Sequence, residues 1–137
     1  MKNIIIVIMI AFTLGVSAQT GVLKTPSYDS LIGNETVYFY VTTVTGDYLN
    51  LSITALCTEV GGTSDGSLYL QYSAGDNYET VTQTDGLFEF ISNDTLTISD
   101  GAVFNVIIRN PPAGNYRLKG VGTASDSTLI EPQYRLK

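Results

Sequence analysis

The sequence predicts an all-β protein: a single antiparallel β-sandwich, jelly-roll or immunoglobulin-like Greek key in topology, with eight or nine short strands. Three observations carry that expectation. Apolar and polar residues alternate with period two in one segment after another. Turn signals built from Gly, Asp, Asn and Pro recur about every 8–12 residues, the spacing expected of a sandwich or barrel. Beyond residue 18 no stretch shows the apolar period of a helix.

The stretch 36–73 organises the rest. Val37, Phe39 and Val41 alternate with Tyr38, Tyr40 and Thr42. Leu49, Leu51, Ile53, Ala55 and Cys57 alternate with Asn50, Ser52, Thr54 and Leu56, and Leu68, Leu70 and Tyr72 with Tyr69 and Gln71. Successive side chains leave a strand on opposite sides, so each run has one apolar face, and β-branched and aromatic residues suit a pleated, half-buried surface. The stretch reads as three antiparallel strands, with Gly46-Asp47 as a tight hairpin between the first two. Further strands are expected over 78–84, 87–92, 95–99, 102–109, 115–122 and 128–136. Asn110-Pro111-Pro112-Ala113-Gly114 ends the strand before it, because proline donates no ladder bond. By the same rule Pro132 marks the last run as an edge strand or splits it with a bulge.

The chain opens with Lys2, an apolar run over 4–14 and the small residues of Val16-Ser17-Ala18, the arrangement of a secretory signal peptide. The run falls short of the roughly 20 residues that span a bilayer. Cleavage is expected between Ala18 and Gln19, and the domain is expected outside the cytoplasm, extracellular or at the cell surface. The organisation is then a signal peptide at 1–18, an N-terminal arm at 19–35 with a short strand near 28–32, and the sandwich at 36–137. Three fates stay open for the arm: docking on its own sheet, docking on a neighbour, or disorder.

Thirteen acids against seven bases give a net charge of −6. That balance excludes nucleic acid, whose phosphates need basic patches, and an anionic membrane surface. It is uneven: residues 19–108 hold Lys24 alone against 11 acids, whereas 109–137 hold five bases against Asp126 and Glu131. In one reading, charges on neighbouring strands neutralise each other. In the other, Arg117, Lys119, Arg135 and Lys137 make a basic edge along the C-terminal strand that meets an acidic edge of another copy, head to tail.

Chemistry is mostly excluded. The chain has no His and one Cys, so a Ser-His-Asp triad, a Cys-His pair, a His-based zinc site and a thiolate cluster are all ruled out. Asp65, Asp76, Asp85, Asp94 and Asp100 lie in turn sequences, where short polar side chains cap local backbone, in preference to a glycosidase pair or a calcium loop, whose acidic motif is absent. Asn34, Asn50 and Asn93 match the glycosylation acceptor, a pattern that Ser/Thr-rich strands produce by chance. No catalytic residue, metal or cofactor is expected. Cys57, in register with Leu51 and Ile53, is expected to be buried.

Tyr38, Tyr40 and Tyr69 fall opposite the apolar register, which places them together on an outer face. A tyrosine offers a flat apolar ring with a polar tip, useful for protein interfaces and for sugar stacking alike; a covering sheet or arm is the plainer explanation. The expected partner is protein, above all another copy of the chain, with a cell-surface glycan as the alternative.

Two segments carry a resemblance. Gly62-Thr63-Ser64-Asp65-Gly66-Ser67-Leu68-Tyr69-Leu70-Gln71-Tyr72-Ser73, followed by Asp76-Asn77-Tyr78-Glu79-Thr80-Val81, resembles a pattern in small β-sandwich virion structural proteins of tailed bacteriophages, head-fibre or decoration-like. Tyr116-Arg117-Leu118-Lys119-Gly120-Val121-Gly122-Thr123 with Ser127-Thr128-Leu129 is similar to the closing strands of the same proteins. The resemblance implies a structural or host-contacting protein without catalysis. It departs from the pattern at Ala74-Gly75 and in the export signal. The expected function is a non-enzymatic structural or assembly role in a virion or exported particle, with a secreted carbohydrate-binding or adhesin-type module as the alternative.

Overall fold

The computed structural model describes Lys24, residues 29–123 and residues 127–137; the expected signal segment lies outside the described residues. The period-two runs become strands β1 (Asp29–Ile32), β2 (Thr36–Val44), β3 (Asn50–Glu59), β4 (Ser67–Ser73), β5 (Glu79–Thr80), β6 (Phe88–Phe90), β7 (Thr95–Thr97), β8 (Val103–Arg109), β9 (Gly114–Val121) and β10 (Ser127–Leu136). They form two antiparallel sheets. Sheet A has the order β1-β10-β3-β8-β6, and sheet B the order β2-β9-β4-β5 with β7 also on β4.

The pairings are nested: β1 with β10, β2 with β9, β3 with β8, β4 with β7. The chain is thus one long hairpin folded over on itself, which decides for the jelly roll over the immunoglobulin-like key. Inward residues of both sheets make one core. Leu31, Phe39, Leu51, Ile53, Leu68, Leu70, Phe104, Val106, Ile108, Tyr116, Leu118 and Ile130 are all buried in it. Cys57 is fully buried among them, in the register that its neighbours dictate.

Three expectations need correction. Gly46-Asp47 is no hairpin: β2 lies in sheet B and β3 in sheet A, and Gly46 is not among the residues with positive φ. Two strands with apolar faces bury them as well by facing each other across a sandwich as by lying side by side, and periodicity does not tell these apart. Next, β10 is not an edge. It sits between β1 and β3, and Pro132 lies past the last β1 partner, Ile130, opposite Ala55 of β3. Finally, the sandwich starts at Asp29 rather than at residue 36. Leu31 of β1 is fully buried, and Lys24 bridges Tyr134, so this part of the arm docks on its own sheet.

The strands expected over 78–84 and 87–92 shrink to β5 and β6 because turns consume their ends. The Asp85 carboxylate accepts from the Thr82 amide at 2.8 Å, and Asp94 accepts from the Gln83 amide at 2.9 Å. Asp100 likewise accepts from the Glu59 amide at 3.0 Å. Asp85 thus caps its own turn, as its position predicts, whereas Asp94 and Asp100 tie their turns to distant backbone.

The loop from β8 to β9 is held by two tyrosines. Tyr72 donates to the Ala113 carbonyl and Tyr116 to the Pro112 carbonyl, each at 2.8 Å. Gly114 then enters β9 with φ +152°; a Cβ there would lie 2.4 Å from the Ser73 carbonyl and 2.6 Å from the Tyr72 ring. Only glycine fits. Burial pushes the Tyr116 hydroxyl well above its ordinary value of 10, with the neighbouring Tyr72 adding to the shift.

Candidate interaction surface

Strand β2 brings two tyrosines to the outside of sheet B. Phe39 and Val41 point inward, so Tyr38 and Tyr40 point outward, 41% and 62% exposed. The register then shifts between Tyr40 and Thr42, a bulge that turns Val44 back into the core. On its other side β2 has no strand partner among the described residues, so it is an edge, and a bulge is one of the devices that blunt edges.

Opposite Tyr40 on β9 stands Arg117, and opposite Arg117 on β4 stands Gln71. The guanidinium carbon lies 4.0 Å from the centre of the Tyr38 ring and 3.6 Å from that of Tyr78, with Tyr40 further off at 6.0 Å. Tyr40 meets Tyr78 edge-on, with ring centres 6.4 Å apart. Arg117 Nε donates to Gln71 Oε1 at 2.8 Å, and Gln71 Nε2 reaches Thr80 Oγ1 at 3.4 Å. Tyr38 and Tyr40 thus reach in from one edge of the sheet and Tyr78 from the other, with Arg117 clamped between them. Gln71 is buried beneath although it is polar and on an outer face. Cations within about 6 Å of an aromatic ring are attracted by its quadrupole, worth roughly 0.5–1 kcal/mol at exposed sites.

Lys119 shares this face, standing opposite Tyr38 on one side and Tyr69 on the other. Five of the seven residues expected to bind therefore lie on one surface: Tyr38, Tyr40, Tyr69, Arg117 and Lys119. Arg135 and Lys137 do not join them. They end β10 in sheet A, Arg135 opposite Ser52, so the expected basic edge is split between two sheets. Neighbours in sequence order need not be neighbours in a jelly roll, where β9 and β10 belong to different sheets. Two members of the cluster escaped the sequence reading. Tyr78 stands just before a two-residue strand, where alternation says little; Gln71 was legible only as an outward residue between Leu70 and Tyr72.

Among the described residues the ion pair is Arg109–Glu89 at 2.9 Å, exposed on both sides and of the kind worth roughly 0–1 kcal/mol. Neither Arg117 nor Lys119 takes part in one. On the opposite edge of sheet B, Glu79 stands on β5 and Asp76 in the turn before it, while Glu89 of the same acidic stretch lies on β6 in sheet A.

The nested hairpin and its two sheets define the class, a jelly-roll β-sandwich. Among solved structures the chain is similar to the Yersinia pseudotuberculosis-derived mitogen, with TM-score 0.54 and 10% identity over 85% of this chain and 87% of that one. It is also similar to Bacillus endospore appendages, described as a novel family of disulfide-linked pili, with TM-score 0.45 and 12% identity over 84% and 85%. The likeness to the mitogen is one of fold alone. No protein-family model and no curated protein sequence matches the chain.

Proposed function

We propose that the chain is a non-enzymatic, exported assembly protein, a component of a virion or another particle, that joins copies of itself through the outer face of sheet B. One observation carries this: Arg117 is held between Tyr38 and Tyr78, anchored by Gln71, and paired to no carboxylate among the described residues of an acidic chain. Tyr and Arg are the residues that dominate interface energies, and a pre-positioned guanidinium is suited to bidentate capture of a carboxylate. Glu79 on the β5 edge of a second copy supplies that carboxylate. Different patches then meet, so the contact is heterologous and closes into a ring or runs on as a filament. The resemblance to small virion proteins supports the same role.

Sedimentation of the purified chain at low and high salt tests it. Association at low salt should weaken as salt screens charges beyond about 8 Å at physiological ionic strength, and Arg117→Glu with Lys119→Glu should abolish it. Arg135→Glu with Lys137→Glu, on the other sheet, should leave it intact. A monomer at every salt and concentration would overturn the proposal.

A further inference from the structure

The outer face of sheet A holds a depression of about 320 Å³ over β10, β3 and β8. Its origin is in the register. Gln133, Thr54 and Asn105 stand side by side across β10, β3 and β8, and Arg135, Ser52 and Ile107 form the next row. The central strand contributes the two shortest side chains, Ser52 and Thr54, so the middle of the sheet is low while longer side chains stand on both flanks. Strands lie about 4.8 Å apart and same-face residues about 7 Å apart, which gives the hollow the footprint of a single sugar ring.

Its lining is selective. Thr54 Oγ1 donates to Asn105 Oδ1 at 3.4 Å, which leaves the Asn105 amide nitrogen as a donor. Arg135 Nε is shut off from solvent and has no hydrogen-bond partner among the described residues. Its terminal guanidinium nitrogens, not this shielded Nε, are the donors that Arg135 can offer to the hollow. The Lys137 side chain adds a second cation, and no Asp or Glu side chain is among the residues that line the hollow. Ile91, 61% exposed, stands with Ile107 as an apolar wall.

We infer that this hollow is a binding site for a carboxylate-bearing saccharide. The acid group takes Arg135 and Lys137, the hydroxyls take Ser52, Thr54, Asn105 and Gln133, and a carbon face of the ring rests on Ile91 and Ile107. The volume falls at the small end of ligand pockets, roughly 300–1,000 Å³, and fits one sugar unit of a chain. The site is independent of self-association, since it lies on the other sheet.

Titration of the full chain with sodium glucuronate, followed by backbone amide NMR, tests it, with glucose and sodium sulfate as separate arms. Glucuronate should shift the amides of residues 52–54, 105–107 and 133–135 saturably. Glucose should bind at least tenfold more weakly, and sulfate should fail to move residues 54 and 105. Arg135→Gln should lose at least tenfold in glucuronate affinity while its amide spectrum elsewhere stays that of the parent. Ser52→Leu, which fills the floor and keeps both cations, should abolish the shifts. Unmoved rows, equal shifts with sulfate at the same ionic strength, or full binding by Ser52→Leu would overturn the assignment.

Discussion

The outer faces of the two sheets are built by the same alternation along antiparallel strands, yet one is crowded and the other hollow. Sheet B carries large outward side chains at both edges, Tyr38 and Tyr40 on β2 and Tyr78 beside β5, and they close over Arg117 in the middle. At its hollow, sheet A carries Ser52 and Thr54 on its central strand, with longer side chains on the flanks. Where the bulk sits, at the edges reaching in or at the flanks standing up, decides whether a sheet face becomes a raised patch or a trough. A raised patch of rings and a fixed cation suits another protein surface; a trough of hydroxyls and amides suits a small polar ligand.

The comparison can be broken at the core that both faces share. Phe104 is fully buried beneath sheet A and packs edge-on against Phe90 at 6.1 Å. Phe104→Ala should cost about 3–5 kcal/mol, the usual range for deleting a buried ring, and should loosen both faces together in denaturant unfolding. Gly114→Ala should act on sheet B more than on sheet A. It forces a Cβ to within 2.4 Å of the Ser73 carbonyl at the end where β2, β9 and β4 meet. A strained backbone costs of order 1–3 kcal/mol, the clash adds to it, and hydrogen exchange should rise first in β9 and β4.

Tyr116 gives a smaller effect with a sign in pH. Its hydroxyl is raised on folding, so its contribution is complete below the ordinary value of 10 and is lost as pH rises above it. Stability should therefore fall above pH 10. Tyr116→Phe, which removes the bond to Pro112, should cost about 1 kcal/mol and flatten that fall. The smallest effect sharpens the contrast between faces. A double-mutant cycle of Arg117→Ala and Tyr78→Ala should give a coupling of roughly 0.5–1 kcal/mol, while Thr54→Val on the other sheet should stay within about 0.5 kcal/mol.

Alternation made the inner and outer faces legible residue by residue: Leu51, Ile53, Ala55 and Cys57 point in and Tyr38, Tyr40 and Arg117 point out, because period two needs only local geometry. Turn residues located most strand ends for the same reason. Which strand lies beside which was not legible. Gly46-Asp47 looked like a hairpin and is a crossing between sheets, and Pro132 looked like an edge and lies in a strand flanked on both sides. Long-range pairing depends on shapes fitting across the whole core, a property of no single segment. The candidate surface was half legible on the same logic. Its tyrosines on one strand could be grouped, but Tyr78 and Gln71 join them only through pairings made at a distance, and Arg135 and Lys137 leave them by the same route.

The nested pairing also governs how the molecule comes into being. Sheet A closes when Asp29 pairs with Ile130, contacts about as far apart along the chain as this fold allows. Closing such loops costs entropy before any contact rewards it, and folds dominated by distant pairings form in roughly milliseconds to seconds. Until β10 arrives, β1 and β3 each present an open row of backbone groups where it will insert. During that interval the strand that fills the gap can come from the same chain or from a neighbouring copy. Dilution therefore favours the closed monomer, and crowding during refolding favours chains joined through exchanged strands.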